Sequence, residues 1–278
     1  MPRFWARSIG KGLGLLFMRM NDKRRRIASI NLRMCFPEKN DQQRGELLRR
    51  HFIGYGQSVV DLGLFIWASN RRLSRLIEVS GIESFRQLIN QHQRIILFTP
   101  HHLGMDCAGI YMSGLCYIVS MMKELENPVL NRAIWHARTR HGVNMVLRQH
   151  GIRSLLKALK SGSVIYYIPD EDFGHRHSVF VPFFGVQTAT LDTLGRLCRL
   201  GNAVAVPVFA ELKDDGGYRV YIDPHLKNFP GDDKRVDALK MNEALETGLR
   251  RIPAQYMWTL RWFKTRPEGE SSPYGDLS

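Results

Sequence analysis

Apolar residues recur at helical spacing through the first quarter of the chain, and then the rhythm changes. In RRRIASINLRMCFPE, Ile27, Ile30 and Met34 fall three and four residues apart on one helical face, and Pro37 marks the end of the run. NDQQRGELLRRHFIGYGQSVVDL reads as a second helix, with Asn40 or Asp41 as N-cap. From residue 76 onward short apolar runs alternate with helical patterns. RIILFTP (94–100), CYIVSMM (116–122), VIYYIPD (164–170), AVAVPVFAEL (203–212) and YRVYIDP (218–224) read as strands. Between and after them, GMDCAGIYMSG, PVLNRAIWHARTRHG closed by Gly142, IRSLLKALKSG, LDTLGRLCRLGN capped by Thr190, and DDKRVDALKMNEALETGLRRIP capped near Asp232 and stopped by Pro253 read as helices. This alternation predicts an α/β fold: a layered sheet-and-helix domain over 76–278, with a largely parallel or mixed sheet, preceded by a helical segment over 1–75.

Charge changes the picture of the first segment. The net charge is +14 over 278 residues, and residues 1–75 hold 16 Lys/Arg against 5 Asp/Glu, so most of the excess lies at one end. Such a face wants an anionic partner. The start, MPRFWARSIGKGLGLLFMRMNDKRRR, mixes these cations with Phe4, Trp5, Ile9, Leu13, Leu16 and Phe17. It reads either as an amphipathic helix lying in a membrane interface or as an ordinary helix packed on the domain. Nothing reaches the roughly 20 apolar residues of a spanning helix; residues 51–70 are long enough but carry His51 and Asp61. Near the other end, QYMWTLRWFKTR interleaves Tyr256, Trp258 and Trp262 with Arg261, Lys264 and Arg266. That pattern suits a membrane interface or stacking on single-stranded nucleic acid. The four cysteines form no C-x-x-C, and their apolar settings fit a reducing compartment.

Candidate chemistry concentrates in ILFTPHHLGMDC (96–107). Functional groups in α/β sheets gather at the C-terminal ends of strands, where Pro100–His101–His102 falls. On a continuous helix His101 and Asp106 would not face each other, but a strand-to-helix turn at Gly104 removes that objection. The Asp106 carboxylate is then expected to accept a hydrogen bond from one nitrogen of His101, fixing its tautomer and stabilising the imidazolium. The result is a His–carboxylate base without a nucleophile of its own, as needed when the substrate's hydroxyl attacks. The spacing alone is common by chance. In PDEDFGHRH, Asp170, Asp172, His175 and His177 have spacings a metal could use, but a turn rich in carboxylates and Gly is expected, with Asp170 orienting site groups. FVPFFG (180–185) is either a wall for an apolar ligand or plain core.

PHHLGMD resembles the H-x-x-x-x-D/E signature of glycerolipid-type acyltransferases. The blocks RRRIASINLRMCFPE, ENPVLNRAIWHARTRHG, LLKALKSGSVIYYIPDEDFG, SVFVPFFGVQTAT and PAQYMWTLRWFKTRPEG resemble, in order, those of the late acyltransferases of lipid A biosynthesis, from about residue 20 to 270. The resemblance implies transfer of a fatty acyl chain from acyl carrier protein to a hydroxyl of the Kdo-bearing lipid A precursor. It implies His101 as general base, Asp106 as its partner, and Arg138 and Asp170 as substrate-binding, oxyanion or orienting residues. It implies no metal and no organic cofactor. Acyl carrier protein, anionic membrane lipids and the precursor are the implied partners, nucleic acid is not, and the implied place is the cytoplasmic face of the inner membrane. His102 stands where relatives commonly have an aromatic residue, and Trp262 where they have Arg. Relatives usually begin with a transmembrane anchor, so attachment here is expected to be peripheral or interfacial. The alternatives are an acyltransferase for another lyso-lipid and a non-enzymatic nucleic-acid-binding protein.

Overall fold

The computed structural model describes residues 3–277. Four helices come first: α1 (Arg3–Met20), α2 (Asp22–Cys35), α3 (Asp41–Trp67) and the short α4 (Asn70–Ser74). Asn40 caps α3 in a reciprocal box: its side chain accepts from the Gln43 amide at 2.9 Å, and the Gln43 side chain accepts from the Asn40 amide at 3.0 Å. Then follow β1 (Ile77–Ser80), α5 (Ile82–Asn90), β2 (Arg94–Phe98), α6 (Met105–Ser113), β3 (Ile118–Met122), α7 (Pro128–Thr139), β4 (Val143–Leu147), α8 (Gly151–Lys160) and β5 (Val164–Tyr167). The chain continues through β6 (Ser178–Phe183), β7 (Val186–Leu191), α9 (Thr193–Gly201), β8 (Ala203–Leu212), β9 (Tyr218–Ile222) and α10 (Lys234–Arg251).

Seven strands form one sheet in the order β1-β9-β8-β2-β5-β3-β4. β8, β2, β5, β3 and β4 run parallel; β9 turns back antiparallel on β8 and takes β1 as its own parallel neighbour. Helices cover both faces, which is why β2 reads as a continuous apolar run, Ile95 to Phe98 being fully buried. β6 and β7 form a separate antiparallel hairpin against α10.

The pattern along the chain left some elements unseen. β1, α5, β4 and the hairpin had no expectation; β4 is an edge strand with only Val143 buried, so its apolar signal is weak. The expected cap of α9 is corrected: the N-cap is Asp192, because β7 runs on through Leu191 and holds Thr190 opposite Val179.

The first helices are part of the same core as the sheet. Ile27, Leu32, Phe36 and Phe52 pack in one cluster with Ile96, Phe98, Phe209 and Trp258. α1 lies antiparallel on α3 with backbones in contact: a methyl on Gly14 would stand 2.0 Å from the Phe52 carbonyl oxygen, and one on Gly56 2.1 Å from that of Gly10. Asp61, the charge within the apolar stretch of α3, is buried and accounted for. It accepts from the Tyr218 hydroxyl at 2.6 Å and from Arg3 of α1 at 3.0 Å. With Ala6, Gly10 and Gly14 turned inward, α1 presents its large apolar residues outward, Phe4 at 71% and Trp5 at 59% exposure. The helix thus packs on the domain by its small residues and leaves an apolar face open. Among the described residues no helix is long and apolar enough to cross a membrane.

Candidate active site

The parallel register of β2 and β5 sets Phe98 opposite Tyr167. Three residues beyond each of these lie His101 and Asp170, so the two side chains leave the sheet side by side. His101 Nδ1–H donates to Asp170 Oδ1 at 2.7 Å, and the His101 backbone N–H donates to Oδ2 at 2.8 Å. The Tyr256 hydroxyl hydrogen-bonds to the same carboxylate. Asp170 is almost fully buried, whereas the His101 side chain keeps 20% of its surface open. Burial pulls the His101 pKa down, but the charge and hydrogen bond of Asp170, helped by Glu171, outweigh it, so the pKa stands above 6.5. With Nδ1 carrying the proton, Nε2 keeps a lone pair for an incoming proton. Glu171 Oε1 lies 3.9 Å from Nε2, and its Oε2 accepts from Arg148 at 2.9 Å.

The expected bond between His101 and Asp106 is corrected. Asp106 sits in the first turn of α6, where a carboxylate suits the helix dipole, and its Oδ1 accepts from Arg138 Nε of α7 at 2.7 Å. Asp170 takes the imidazole instead because parallel strand ends are lateral neighbours, while Asp106 points toward the next helix. The structure therefore brings His101, Asp106, Arg138 and Asp170 to one strand-end cluster, with their pairing exchanged.

His102 has a different task. It is buried: Nδ1–H donates to the Pro100 carbonyl at 2.9 Å and Nε2 accepts from the Ala210 amide at 2.9 Å. Burial brings its pKa down to about 4. Its ring ties the turn to β8, and Gly104 fits close beside, where a methyl would meet the Ala210 carbonyl oxygen at 2.1 Å.

The turn is braced from the far end of the chain. The Leu103 amide donates to Gln255 and the Met257 amide to the His101 carbonyl, both at 2.9 Å. The segment after Met257 is held by Asn31 of α2, whose Nδ2 donates to the carbonyls of Trp258 at 2.7 Å and Leu260 at 2.8 Å. Its Oδ1 accepts from the Tyr274 hydroxyl, which itself accepts from the Phe263 amide. Tyr256, Trp258 and Trp262 are all buried, so the expected interfacial or base-stacking role is corrected: they are packing residues. Trp262 stacks on Tyr256 at 4.7 Å and stands 6.0 Å from the His101 ring.

Asp172 accepts from the Thr265 amide at 2.8 Å and from Gly174 at 3.0 Å, so it pins the loop after Asp170, while His175 packs on Phe180. Among the described residues no three His, Cys, Asp or Glu side chains converge as a metal site. Of FVPFFG, Phe183 lines a small cavity beside Asp170 with Thr188, Leu245 and Tyr256, while Phe184 packs on Phe36 and Trp258. A second cavity opens beneath Asp106 and Arg138, lined by Gly109, Ile110, Val143 and Tyr166.

Residues 1–265 match the family described as bacterial lipid A biosynthesis acyltransferase. The chain belongs to that family. It is 35% identical to the lipid A biosynthesis lauroyltransferase of Escherichia coli over 96% of this chain and 87% of the relative. It is 34% identical to a lipid A biosynthesis acyltransferase of Haemophilus influenzae over 93% and 81%, and 30% identical to the palmitoleoyltransferase of E. coli over 96% and 87%. Among solved structures, a 1-acyl-sn-glycerophosphate acyltransferase from Thermotoga maritima covers 85% of this chain and 99% of its own at 14% identity and a TM-score of 0.38, too slight a likeness to carry an argument. The protein is an acyltransferase. Its strand-end cluster holds a partly exposed imidazole oriented by a buried carboxylate, with the Arg138 guanidinium in electrostatic reach of that imidazole. Asn31, Glu171 and Arg148 were not singled out from the chain, and Tyr256 was read only as one of the aromatics among cations; Asn31, Tyr256 and Glu171 lie inside blocks that carry the family resemblance, but nothing in the spacing pairs Glu171 with Arg148.

Proposed function

We propose that this acyltransferase moves a fatty acyl chain from acyl carrier protein to a hydroxyl of the Kdo-bearing lipid A precursor, with His101 as general base. The observation that carries the base assignment is the His101–Asp170 pair, which directs Nδ1–H to the buried carboxylate, so that in the neutral ring Nε2 holds the lone pair, on a side chain that keeps 20% of its surface open at the end of β2. Nε2 takes the hydroxyl proton as the oxygen attacks the thioester carbonyl. The carbonyl oxygen gains negative charge, and the N–H groups of Arg138 not engaged with Asp106 are the candidate donors to it. Collapse of the tetrahedral intermediate breaks the C–S bond, and the imidazolium returns its proton to the departing sulfur. Asp170 keeps Nδ1–H throughout and offsets the imidazolium charge. Asp106 acts on the reaction through Arg138. No step needs a metal or an organic cofactor.

The place proposed for this chemistry is the cytoplasmic face of the inner membrane, held peripherally. The open apolar face of α1 and the cations of residues 1–75 support this, since insertion and headgroup attraction are weak alone and add together. The test is mass spectrometry of lipid A from a Gram-negative host lacking its own late acyltransferase. Wild type should add one acyl chain and His101→Ala should add none. An added chain with His101→Ala would remove His101 from its role, and none with wild type would overturn the acceptor.

A further inference from the structure

The basic excess of the first 75 residues hides a second one. From residue 127 to 169 there is no Asp or Glu and there are seven Lys/Arg; from 193 to 210 there is again no acid, with Arg196 and Arg199 present. Some of these cations are committed: Arg138 to Asp106, Arg140 to the Phe65 and Ile66 carbonyls, Arg148 to Glu171, and Arg199 to Asp237. Arg153 and Lys157 are not. α8 buries Leu155 and Leu159 against the domain, which turns Arg153 and Lys157 to solvent one turn apart, and neither has an ion-pair partner among the described residues. Arg196, on the neighbouring α9, is exposed as well.

The position of this ridge is as informative as its charge. α8 and α9 pack together with Leu159 against Gly201, so their ends lie at one level. Their first turns flank the end of β5, where the Tyr167 hydroxyl bonds Thr193 and lies in the field of Arg148. Arg148 holds Glu171, and Glu171 stands 3.9 Å from His101 Nε2. The ridge therefore starts at the site and runs away from it along α8. The N-terminal cations differ: Arg3 is bonded to Asp61, Arg24 to the Thr259 carbonyl, and Arg25 and Arg26 to Asp22, and α1, which carries Arg3 and packs beside α2, exposes large apolar residues.

We propose that the ridge formed by Arg153, Lys157 and Arg196 docks the acidic carrier protein that brings the acyl thioester, while the N-terminal helices serve the lipid side. This rests on the donor reading above. An acidic helical protein seated on α8 would hold its flexible thioester arm at the Arg148–Glu171 edge of the site. Displacement of Glu171 from His101 Nε2 as the arm enters would open the base. Complementary charge of this kind speeds encounter and weakens with salt.

The test titrates fluorescently labelled acyl carrier protein with the full chain in detergent and reads Kd, alongside kcat and KM for the carrier thioester and for acyl-coenzyme A. Arg153→Glu/Lys157→Glu should raise the carrier Kd and KM by about 10-fold or more, with Tm and turnover of acyl-coenzyme A unchanged. Lys160→Glu, at the far end of α8, should do less. Wild-type Kd should rise with salt more steeply than that of the double variant. An unchanged Kd in the double variant overturns the docking face, as does an equal loss with both donors. A wild type that uses acyl-coenzyme A but neither binds nor uses the carrier overturns the donor reading instead.

Discussion

At the scale of residues, His101 sits between two carboxylates of the strand end but bonds only one. Its pKa stands above 6.5 because the charge and bond of Asp170 exceed the opposing effect of burial. A base works when unprotonated, so turnover should rise with pH through a midpoint above 6.5. Asp170→Asn removes the raising influence, so the midpoint should move down while kcat falls on the order of 100-fold or more through loss of tautomer control. Asp106→Asn should cut kcat by freeing Arg138 and move the midpoint less than Asp170→Asn does, since Asp106 bonds Arg138, a minor influence on His101, rather than the ring itself. A pH–rate profile of the two variants separates them. If Asp106→Asn shifts the midpoint and Asp170→Asn does not, the pairing is the reverse of the one described here. The presence of a base at PHHLGMD was legible in the chain. Its partner was not, because hydrogen bonding across parallel strand ends joins residues 69 apart.

At the scale of elements, α1 serves two surfaces at once. Its small residues seat it on α3 and Arg3 neutralises the buried Asp61, so deleting residues 1–20 should lower Tm as well as membrane binding; an isolated buried charge alone costs several kcal/mol. Replacing only the outward apolar residues separates the effects. Phe4→Ser/Trp5→Ser/Leu16→Ser should leave Tm near wild type and reduce binding to anionic vesicles at low salt, as read by co-sedimentation. Undiminished sedimentation of the triple variant would show that another surface carries the membrane contact. The helical period of this segment was plain in the chain; which face would be covered was not, since Gly10, Gly14 and Gly56 gain meaning only from the close approach of two backbones.

At the scale of the whole molecule, two fully buried histidines link stability to pH. His51, bonded to the Ala254 carbonyl at 3.1 Å, and His102 both have folded pKa values of about 4, lowered by burial from an unfolded 6.5. Between those values the unfolded chain binds protons that the folded chain refuses. Stability is therefore full above pH 6.5 and falls as pH drops toward 4, by up to roughly 3 kcal/mol for each group. His101 runs the other way: its raised pKa contributes stability below 6.5 that is lost as pH rises through the folded value. Against a typical margin of about 5–15 kcal/mol, the two buried rings should dominate, and the urea midpoint should decline steeply from pH 6.5 to 4.5. A flat midpoint over that range would show that neither ring is held neutral by the fold.

The sequence by itself determined the alternation of helices and strands after residue 76, the α/β layering, the strand-end position of the two imidazoles and the family, because these rest on local periodicity, turn residues and contiguous blocks. The parts it left undecided all depend on contacts between distant segments. Two adjacent histidines look alike in the chain; only the tertiary structure turns His102 inward to Ala210 and leaves His101 half open. Three aromatic residues among cations look like an interface until Asn31 draws their segment into the core. Burial and hydrogen-bond partners are properties of where the chain returns in space, and no local spacing encodes them.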